Sequence, residues 1–267
     1  MAQARFAGKV AVVSGGSNGI GRAIAAGFAG EGAQVVICDL AEPGYFGGNP
    51  QVAAVTGDIA QPGFAGQVID TAVRRFGKAD ILVNDAGSYP DGTLLEMAAQ
   101  DWDRVFAVNV TGTFQLTQAF VRHCVNRSAP DAAVVSISTG SARSPRPGGA
   151  AYSASKAAVE TMSKVFAMEL GPLGIRVNVV APGYIDVRGW SDAYPERASD
   201  ELRAALVASI PLGRGGDPRD IAAAVLFLAS ADAAHITGTV LDVDGGSNAG
   251  RFALAGHVTD GSSHVRG

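Results

Sequence analysis

The sequence predicts an α/β fold of the doubly wound type, in which one parallel sheet is covered by helices on both faces. Short apolar runs alternate with helical patterns, and the runs are apolar at consecutive positions rather than at every second one. Such runs are typical of strands buried on both faces, and their alternation with helices favours parallel pairing. Seven runs predict a seven-stranded sheet, at residues 10–15, 34–40, 52–58, 80–87, 132–138, 176–183 and 239–246.

Glycine, proline and capping residues mark the predicted helices. Four of these helices cover residues 18–30, 61–76, 101–126 and 152–170. "GPLG" at 171–174 ends the fourth, and Asp217 followed by Pro218 is typical of the first turn of a fifth. Residues 41–50 contain two prolines and three glycines, which predict a loop or one short turn where a crossover helix usually forms.

We expect residues 1–267 to form a single domain, because no linker or internal repeat interrupts the pattern. Residues 184–216 make a long excursion that is polar at first and amphipathic later, which predicts a lid over the site. The segment 247–267 ends rich in glycine and serine, so we expect a partly mobile tail.

Composition narrows the classes of partner. A formal net charge of -4 and the lack of a dense Lys/Arg cluster argue against a nucleic-acid surface, so we expect a small-molecule partner. The two cysteines, Cys38 and Cys124, imply no disulfide framework and fit a reducing compartment. The apolar runs are too short to span a bilayer and the start has no long apolar segment, which predicts a cytoplasmic protein without a membrane partner. The four histidines are scattered, so no metal site is predicted.

The stretch "SGGSNGIGRAIA" at 14–25 follows the first strand and opens the first helix. Gly15, Gly19 and Gly21 permit a tight turn, and the free N–H groups of the helix N-terminus are suited to a pyrophosphate. The same glycines could instead only allow the helix to pack close to the strand.

Asp39 favours dinucleotide binding, because it ends the second strand about 20 residues beyond the glycines, where a carboxylate accepts hydrogen bonds from an adenosine ribose. A carboxylate there repels a 2′-phosphate, and neither Ser17 nor Leu40 supplies a cation for one. The sequence therefore predicts NAD rather than NADP as the cofactor.

Tyr152 and Lys156 lie one helical turn apart in "AYSASKAAV", among small residues. Positions i and i+4 share a helix face, so the phenol and the ammonium project side by side. Taken alone, the pair also fits a tyrosine at the edge of the core beside a solvated lysine.

In order and spacing, these motifs resemble those of the short-chain dehydrogenase/reductase family in its compact single-domain form. The resemblance extends from Gly8 to about Gly246. It rests on "SGGSNGIG" at 14–21, "GDI" at 57–59, "NDAG" at 84–87, "YSASK" at 152–156, "PG" at 182–183 and "ITGTVLDVDGG" at 236–246.

The resemblance implies that Tyr152 is the general acid/base. Lys156 is implied to lower the pKa of that phenol together with the oxidised nicotinamide, and to hold the ribose hydroxyls. Asn109 matches the helix asparagine that positions a water beside the lysine, although an amide satisfied inside a helix also fits. The family's catalytic hydroxyl stands 13 residues before the tyrosine, at Thr139, and Ser138 and Ser141 are the alternatives.

The resemblance also implies a cofactor site. Its predicted residues are Gly15, Ser17, Asn18, Gly19, Ile20, Gly21, Asp39, Leu40, Asp58, Ile59, Asn84, Ala86, Gly87, Tyr152, Lys156, Pro182, Gly183, Ile185 and Val187. Two positions depart from the family pattern. Asp85 stands where a second asparagine is usual, which we expect to change a strand-end hydrogen bond more than the chemistry. Val187 replaces a threonine that contacts the nicotinamide amide, which predicts weaker anchoring of that amide.

The implied activity is NAD-dependent interconversion of a secondary alcohol and its ketone. The predicted substrate residues are Tyr89, Ser141, Arg143, Tyr184 and Trp190, and Arg143 could equally be a surface arginine. Two alternatives stay open: an NADPH-dependent carbonyl or 3-oxoacyl reductase, and a non-catalytic dinucleotide sensor or scaffold. The family resemblance further implies a homotetramer built on helices 101–126 and 152–170 and the region near the C-terminus.

Overall fold

Seven strands form one parallel sheet in the computed structural model, which describes residues 4–127, 131–189 and 200–250. The strands are β1 (Val10–Ser14), β2 (Gln34–Asp39), β3 (Val52–Thr56), β4 (Ile81–Asn84), β5 (Ala132–Ile137), β6 (Ile175–Pro182) and β7 (Val240–Val243). Their order is β3-β2-β1-β4-β5-β6-β7, and every neighbouring pair is parallel. The predicted fold class and strand number are confirmed.

Helices cover both faces of this sheet. They are α1 (Gly19–Gly30), α2 (Phe64–Phe76), α3 (Ala99–Phe106), α4 (Thr113–Val125), α5 (Ala150–Leu170), α6 (Asp200–Ala208) and α7 (Pro218–Ala229). Alternate residues of a strand serve opposite layers: Ala11 and Val13 pack with the α1 and α7 side, whereas Val10 and Val12 pack with the α2 and α4 side. Burial on both faces explains why the strands read as continuous apolar runs.

The predicted helix over 101–126 is divided in the structure. Helix α3 ends at Phe106, a π-helical turn covers Ala107–Gly112, and α4 begins at Thr113. Gly112 lets the backbone lie against Ile59, since a Cβ there would come within 2.9 Å of the Ile59 side chain. Single π turns inside α-helices frequently occur at functional sites, and this one carries the buried Asn109.

The local signals at helix ends are mostly confirmed. Asp217 caps α7 in a reciprocal capping box with Asp220, and Pro218 takes the first helical position. Residues 41–50 contain only a short 3₁₀ turn, Gly44–Phe46. Helix α2 begins at Phe64, three residues later than predicted, because Gly63 has a left-handed φ of 82° that ends the preceding turn.

The excursion after β6 contains helix α6 within its described part. Residues 190–199 of the predicted lid and residues 251–267 of the predicted tail lie outside the described residues. Across the described ranges, no helix combines the length and apolar character needed to cross a membrane.

The strand order places a ligand cleft at the carboxyl ends of β1 and β4. Successive crossovers run outward in opposite directions from these two strands, so the connections that follow β1 and β4 separate there. Such a switch point is where open α/β sheets bind ligands.

Candidate active site

The turn between β1 and α1 is built around two glycines that cannot carry side chains. A Cβ on Gly15 would lie 2.7 Å from the backbone nitrogen of Ala86, at a φ of 72°. A Cβ on Gly21 would overlap the carbonyl oxygen of Gly15. This close approach brings the first turn of α1 against the end of β4, which forms one wall of the cleft.

Asp39 closes β2 at the edge of this turn. Its Oδ2 accepts a hydrogen bond from the backbone nitrogen of Ser17 at 2.9 Å, and its Oδ1 accepts one from Leu40 at 2.7 Å. A carboxylate has about four acceptor positions, so these bonds hold Asp39 in place and leave acceptors for a ribose hydroxyl.

Tyr45 and Arg22 lie beside this carboxylate and were missed in the sequence. The Tyr45 hydroxyl donates to the carbonyl oxygen of Gly16, and the Arg22 guanidinium lies 4.4 Å from the centre of the Tyr45 ring. A cation is therefore present next to the expected adenosine site, which the sequence reasoning had not recognised. Tyr45 lies in the single 3₁₀ turn Gly44–Phe46, which is too short for a periodic pattern to indicate which way a side chain points.

The opposite edge of the expected adenine site is formed by Asp58 and Ile59. Asp58 accepts from Arg104 at 2.6 Å and from the backbone of Ala60 at 2.9 Å. The Arg104 hydrogen bond holds the pKa of the Asp58 carboxyl below its usual range. Asp58 is thus a fixed anion that links the loop after β3 to α3.

Tyr152, Thr139 and Lys156 meet at the carboxyl end of β5. The Thr139 hydroxyl lies close enough to the Tyr152 phenol to act on its pKa. The Lys156 Nζ lies 5.9 Å from the centre of the Tyr152 ring and donates to the carbonyl oxygen of Ile137 at 2.7 Å. The helical spacing of tyrosine and lysine on α5 therefore brings both side chains to the cleft, beside the end of a neighbouring strand.

Burial dominates the titration of both groups. It raises the pKa of Tyr152 to about 12, an effect that the Thr139 hydrogen bond opposes and the Asp85 carboxylate reinforces. Burial also lowers the pKa of Lys156 to about 8, and Asp85 opposes that change. Lys156 is not among the groups that shift the pKa of Tyr152, so its lowering of that pKa together with the oxidised nicotinamide stays a prediction.

Ser138 and Ser141 differ from Thr139 in their surroundings. Ser138 is buried, and its Oγ donates to the Glu160 carboxylate at 2.8 Å. Ser141 lies in a 3₁₀ turn, where its backbone nitrogen donates to the Thr139 Oγ1 at 3.3 Å. Of the three hydroxyls, Thr139 is the one paired with Tyr152.

Asn109 is fully committed to hydrogen bonds with protein atoms. Its Oδ1 accepts from the Ser88 nitrogen at 2.7 Å, and its Nδ2 donates to the Ser88 oxygen and the Ser155 Oγ, both at 2.9 Å. Both Asn109 and Lys156 flank Gly87, where a Cβ would lie 3.5 Å from the Asn109 Oδ1 and 3.7 Å from the Lys156 Nζ. The amide thus ties the loop after β4 to α5 beside the lysine.

A cavity of about 220 Å³ opens beside the Tyr152 ring. It is lined by Tyr89, Asp91, Ser141, Arg146, Gly149, Tyr152 and Ser153. The Ser153 Oγ is buried and has no hydrogen-bond partner in the described part of the chain. Tyr89 packs edge-on to Tyr152 with ring centres 6.0 Å apart. The predicted substrate residues Tyr89 and Ser141 are therefore at this cavity.

Arg143, Tyr184 and Trp190 are not part of that lining. Arg143 forms an ion pair with Asp242 and lies 3.6 Å from Glu160, so its charge is committed to β7 and α5. Tyr184 lines a second cavity, of about 540 Å³, between the loop after β6 and residues 242–246. Trp190 lies outside the described residues. The placement of Arg143 and Tyr184 does not support their predicted contact with a substrate at Tyr152.

The remaining cofactor residues divide into two groups. Pro182, Gly183, Ile185 and Val187 follow β6, and Val187 lies 3.7 Å from a Cβ built on Gly19, next to the glycine turn. Asn84 is different, because its buried Nδ2 donates to the hydroxyls of Thr117 and Ser136. The Asn84 side chain is thus used to join β4, α4 and β5, which does not support its assignment to the cofactor.

The cleft fits the anionic part of a dinucleotide. Helix α1 has no acidic residue in its first turn, and its N-cap residue Asn18 makes no side-chain cap bond within the described part of the chain. The first N–H groups of α1 are therefore suited to a pyrophosphate. Over the same described ranges, no group of three or more His, Cys, Asp or Glu side chains is arranged to hold a metal ion.

A doubly wound sheet, a glycine turn at its switch point and a tyrosine–lysine pair at the cleft together define a dinucleotide-binding oxidoreductase. Comparisons with known proteins agree. The family model described as enoyl-(acyl carrier protein) reductase matches residues 15–248. An uncharacterized oxidoreductase from Methylorubrum extorquens is 39% identical over 250 residues, which cover 91% of this chain and 98% of that protein.

Two further relatives carry more specific names. A 3-oxoacyl-[acyl-carrier-protein] reductase from Thermotoga maritima is 37% identical over 255 residues, covering 91% of this chain and 98% of that one. The crystal structure of a glucose/ribitol dehydrogenase of the short-chain dehydrogenase/reductase family from Brucella melitensis has a TM-score of 0.81 at 30% identity, covering 91% and 98% of the two chains. The chain belongs to the short-chain dehydrogenase/reductase family.

Proposed function

We propose that the protein is an NAD-dependent oxidoreductase that interconverts a secondary alcohol and its ketone. The observation that carries this proposal is the meeting of Tyr152, Thr139 and Lys156 beside the cavity at the cleft. A proton-transfer group, a hydroxyl donor and a cation are the groups that alcohol oxidation requires around the reacting oxygen.

Each of these residues has a defined task in the proposed reaction. Tyr152 accepts the proton of the substrate hydroxyl during oxidation and returns it during ketone reduction. Thr139 donates a hydrogen bond to the oxygen on which negative charge develops. Lys156 holds positive charge beside the phenol and binds the nicotinamide ribose. When bound, an oxidised nicotinamide dinucleotide supplies the hydride acceptor and a positive charge that favours the phenolate.

The preference for NAD rests on Asp39. Its carboxylate is fixed at the end of β2 by backbone donors, where a 2′-phosphate would meet a negative charge. An NADPH-dependent 3-oxoacyl reductase is the second candidate. Two observations favour it: the name of the Thermotoga maritima relative, and the Arg22 guanidinium over the Tyr45 ring close to Asp39.

The experiment that tests the function follows the absorbance of reduced nicotinamide. The protein is mixed with NAD or NADP and a panel of secondary alcohols, and in reverse with NADH or NADPH and ketones that include a 3-oxoacyl thioester. We expect NAD-dependent turnover with an alcohol, and Tyr152→Phe should lower kcat by about 10³-fold or more while cofactor binding persists.

Other outcomes select the alternatives. Turnover of the 3-oxoacyl thioester with NADPH in preference to NADH would replace the main proposal by the second candidate. Calorimetric binding of NADH without turnover of any panel member by the wild-type protein would favour a non-catalytic sensor or scaffold.

We also propose a cytoplasmic homotetramer in which residues 1–267 form one domain and residues 184–216 act as a lid. Apolar side chains on the exposed faces of α4 and α5 support association through these helices. Phe114, Val165 and Met168 are exposed there, Met168 to 71% of its surface.

A further inference from the structure

Asp85 lies where β4 ends, between the first turn of α1 and Lys156. Its Oδ2 is 2.7 Å from the position of a Cβ on Gly21, and the nearby Gly21 backbone N–H acts to lower the pKa of the carboxyl. Its own backbone nitrogen is held by the Ser14 Oγ at 3.2 Å. The side chain thus lies against the first turn of α1.

This carboxylate occupies the anion-attracting end of α1. Gly21 is the third residue of that helix, and its N–H is one of the donors that a helix leaves without an internal partner. A dinucleotide pyrophosphate binds to the same helix end, through the same positive dipole and the neighbouring donors. Two anionic groups would therefore have to share one helix N-terminus.

The charged and titratable groups around Asp85 come from two other elements. Lys156 on α5 favours the ionised carboxylate, whereas Asp39 at the end of β2 disfavours it. Tyr152 on α5 also senses the charge of Asp85. The carboxylate is thus close to the residues expected to hold both ends of the cofactor.

We propose that Asp85 takes up a proton when the dinucleotide binds, so that its own negative charge no longer opposes the pyrophosphate at the start of α1. Cofactor affinity then depends on pH through a group that takes no part in the chemical step. This inference rests on the proposed function only in requiring that a dinucleotide binds in the cleft.

The pKa of Asp85 agrees with proton uptake near neutral pH. Burial raises the pKa of Asp85 to about 7, against the opposing effect of Lys156. At neutral pH the carboxylate is therefore about half ionised before binding, and a nearby anion favours the protonated form further. An asparagine at this position has no proton to exchange and presents no charge.

The test is calorimetry of NADH binding at about pH 7 in two buffers with different ionisation enthalpies. The wild-type protein should take up about half a proton, and its Kd should rise about tenfold between about pH 6 and about pH 8, because one proton is coupled to binding around a pKa of about 7. The Asp85→Asn variant should take up fewer protons on binding NADH, and its Kd should lose most of this dependence on pH. Asp70→Asn removes an equal charge from the exposed face of α2 and should behave as the wild type.

Lys156 requires a separate control, because its pKa of about 8 is also close to this range. In a Lys156→Arg background, which keeps a cation that does not titrate in this range, the uptake by Asp85 should persist. Adding Asp85→Asn to that background should abolish it. Equal proton uptake with and without Asp85 would overturn the inference, whereas the absence of any binding heat for the wild type would instead reject the proposed cofactor.

Discussion

At the scale of single residues, Ser138 and Thr139 show how a one-residue shift changes what a hydroxyl can do. Ser138 is buried and bonds to Glu160, whereas Thr139 pairs with the phenol of Tyr152. Neighbouring positions at a strand end face opposite sides of the sheet. The Ser138 hydroxyl therefore bonds inside the core, whereas the Thr139 hydroxyl faces the site.

Replacing Thr139 should test this division. Thr139→Val keeps the size of the side chain but removes the donor to the substrate oxygen, so we expect kcat to fall about 10²-fold or more. Thr139→Ser retains the hydroxyl and should stay within about threefold of the wild type. Steady-state kinetics with the alcohol found in the activity assay would measure both.

Ser138→Ala is the matched control. It should lower thermal stability through the lost bond to Glu160 and leave kcat close to that of the wild type. A larger loss of kcat in Ser138→Ala than in Thr139→Val would show that the assignment of the catalytic hydroxyl is wrong.

Helical spacing predicted that Tyr152 and Lys156 share one face, and the family resemblance supplied their role in the site. It could not predict that Arg143 would pair with Asp242, nor that Arg22 would lie over Tyr45, since these contacts join segments far apart in the chain. Long-range side-chain pairs leave no periodic signal in the sequence, so these contacts were not predictable from it.

At the scale of elements, the glycines of α1 have unequal roles although they share one helix. Gly21 is pressed against Gly15 and Asp85, whereas a Cβ on Gly30, at the last position of the helix, would meet no atom within 4 Å. The first turn of α1 is therefore shaped by contact with the site, and its last turn is not.

Alanine substitutions should separate these roles. Gly21→Ala should displace the turn between β1 and α1, which would weaken NADH binding about tenfold or more and lower the Tm, because a backbone atom blocks the new methyl group. Gly30→Ala should preserve NADH binding and leave the Tm unchanged or slightly higher, since alanine favours the helix by up to about 1 kcal/mol. Calorimetry and thermal unfolding would measure the two effects. Similar losses in both variants would contradict this account.

Helix boundaries were predicted correctly where the signal is a contact between residues close together in the chain. Asp217 and Pro218 marked the start of α7 correctly, because capping is a local interaction. The π-helical turn at Ala107–Gly112 was missed, since it depends on Asn109 bonding to Ser88 and Ser155 in other parts of the chain.

At the scale of the whole molecule, a buried polar cluster joins the sheet to α4 at the edge away from the cleft. The buried Asp80 accepts from Arg127 at 2.9 Å and from the Val10 backbone at 2.9 Å, and the His123 Nε2 accepts from the Ala79 nitrogen at 3.2 Å. That last bond requires a neutral ring, and burial together with Arg127 lowers the pKa of His123.

Global stability should therefore depend on the protonation of His123. Its pKa is lower in the folded than in the unfolded protein, so its contribution is present above the unfolded value of about 6.5 and is lost as pH falls toward the folded value. His123→Gln offers an acceptor that does not titrate. The Tm advantage of the wild type over this variant should shrink as pH falls from about 7.5 to about 5.5. Parallel Tm curves for the two proteins would exclude this role.

At this scale the sequence predicted a doubly wound parallel sheet, because alternating strands and helices permit few arrangements and crossovers between parallel strands have one preferred hand. It did not predict the bounds of helix α6, because the segment that contains this helix is of mixed polar and amphipathic character.

The π-helical turn changes the direction in which the side chains of α3 point relative to those of α4. Each residue of a regular α-helix turns the chain by about 100° around the helix axis. Deleting one residue from 107–112 and restoring regular geometry would therefore rotate the side chains of α3 by about that angle relative to α4. Arg104 would then leave Asp58, while Leu116 and Phe120 kept their places in the core. One inserted residue thus allows α3 to direct Arg104 toward Asp58 while α4 packs against the sheet.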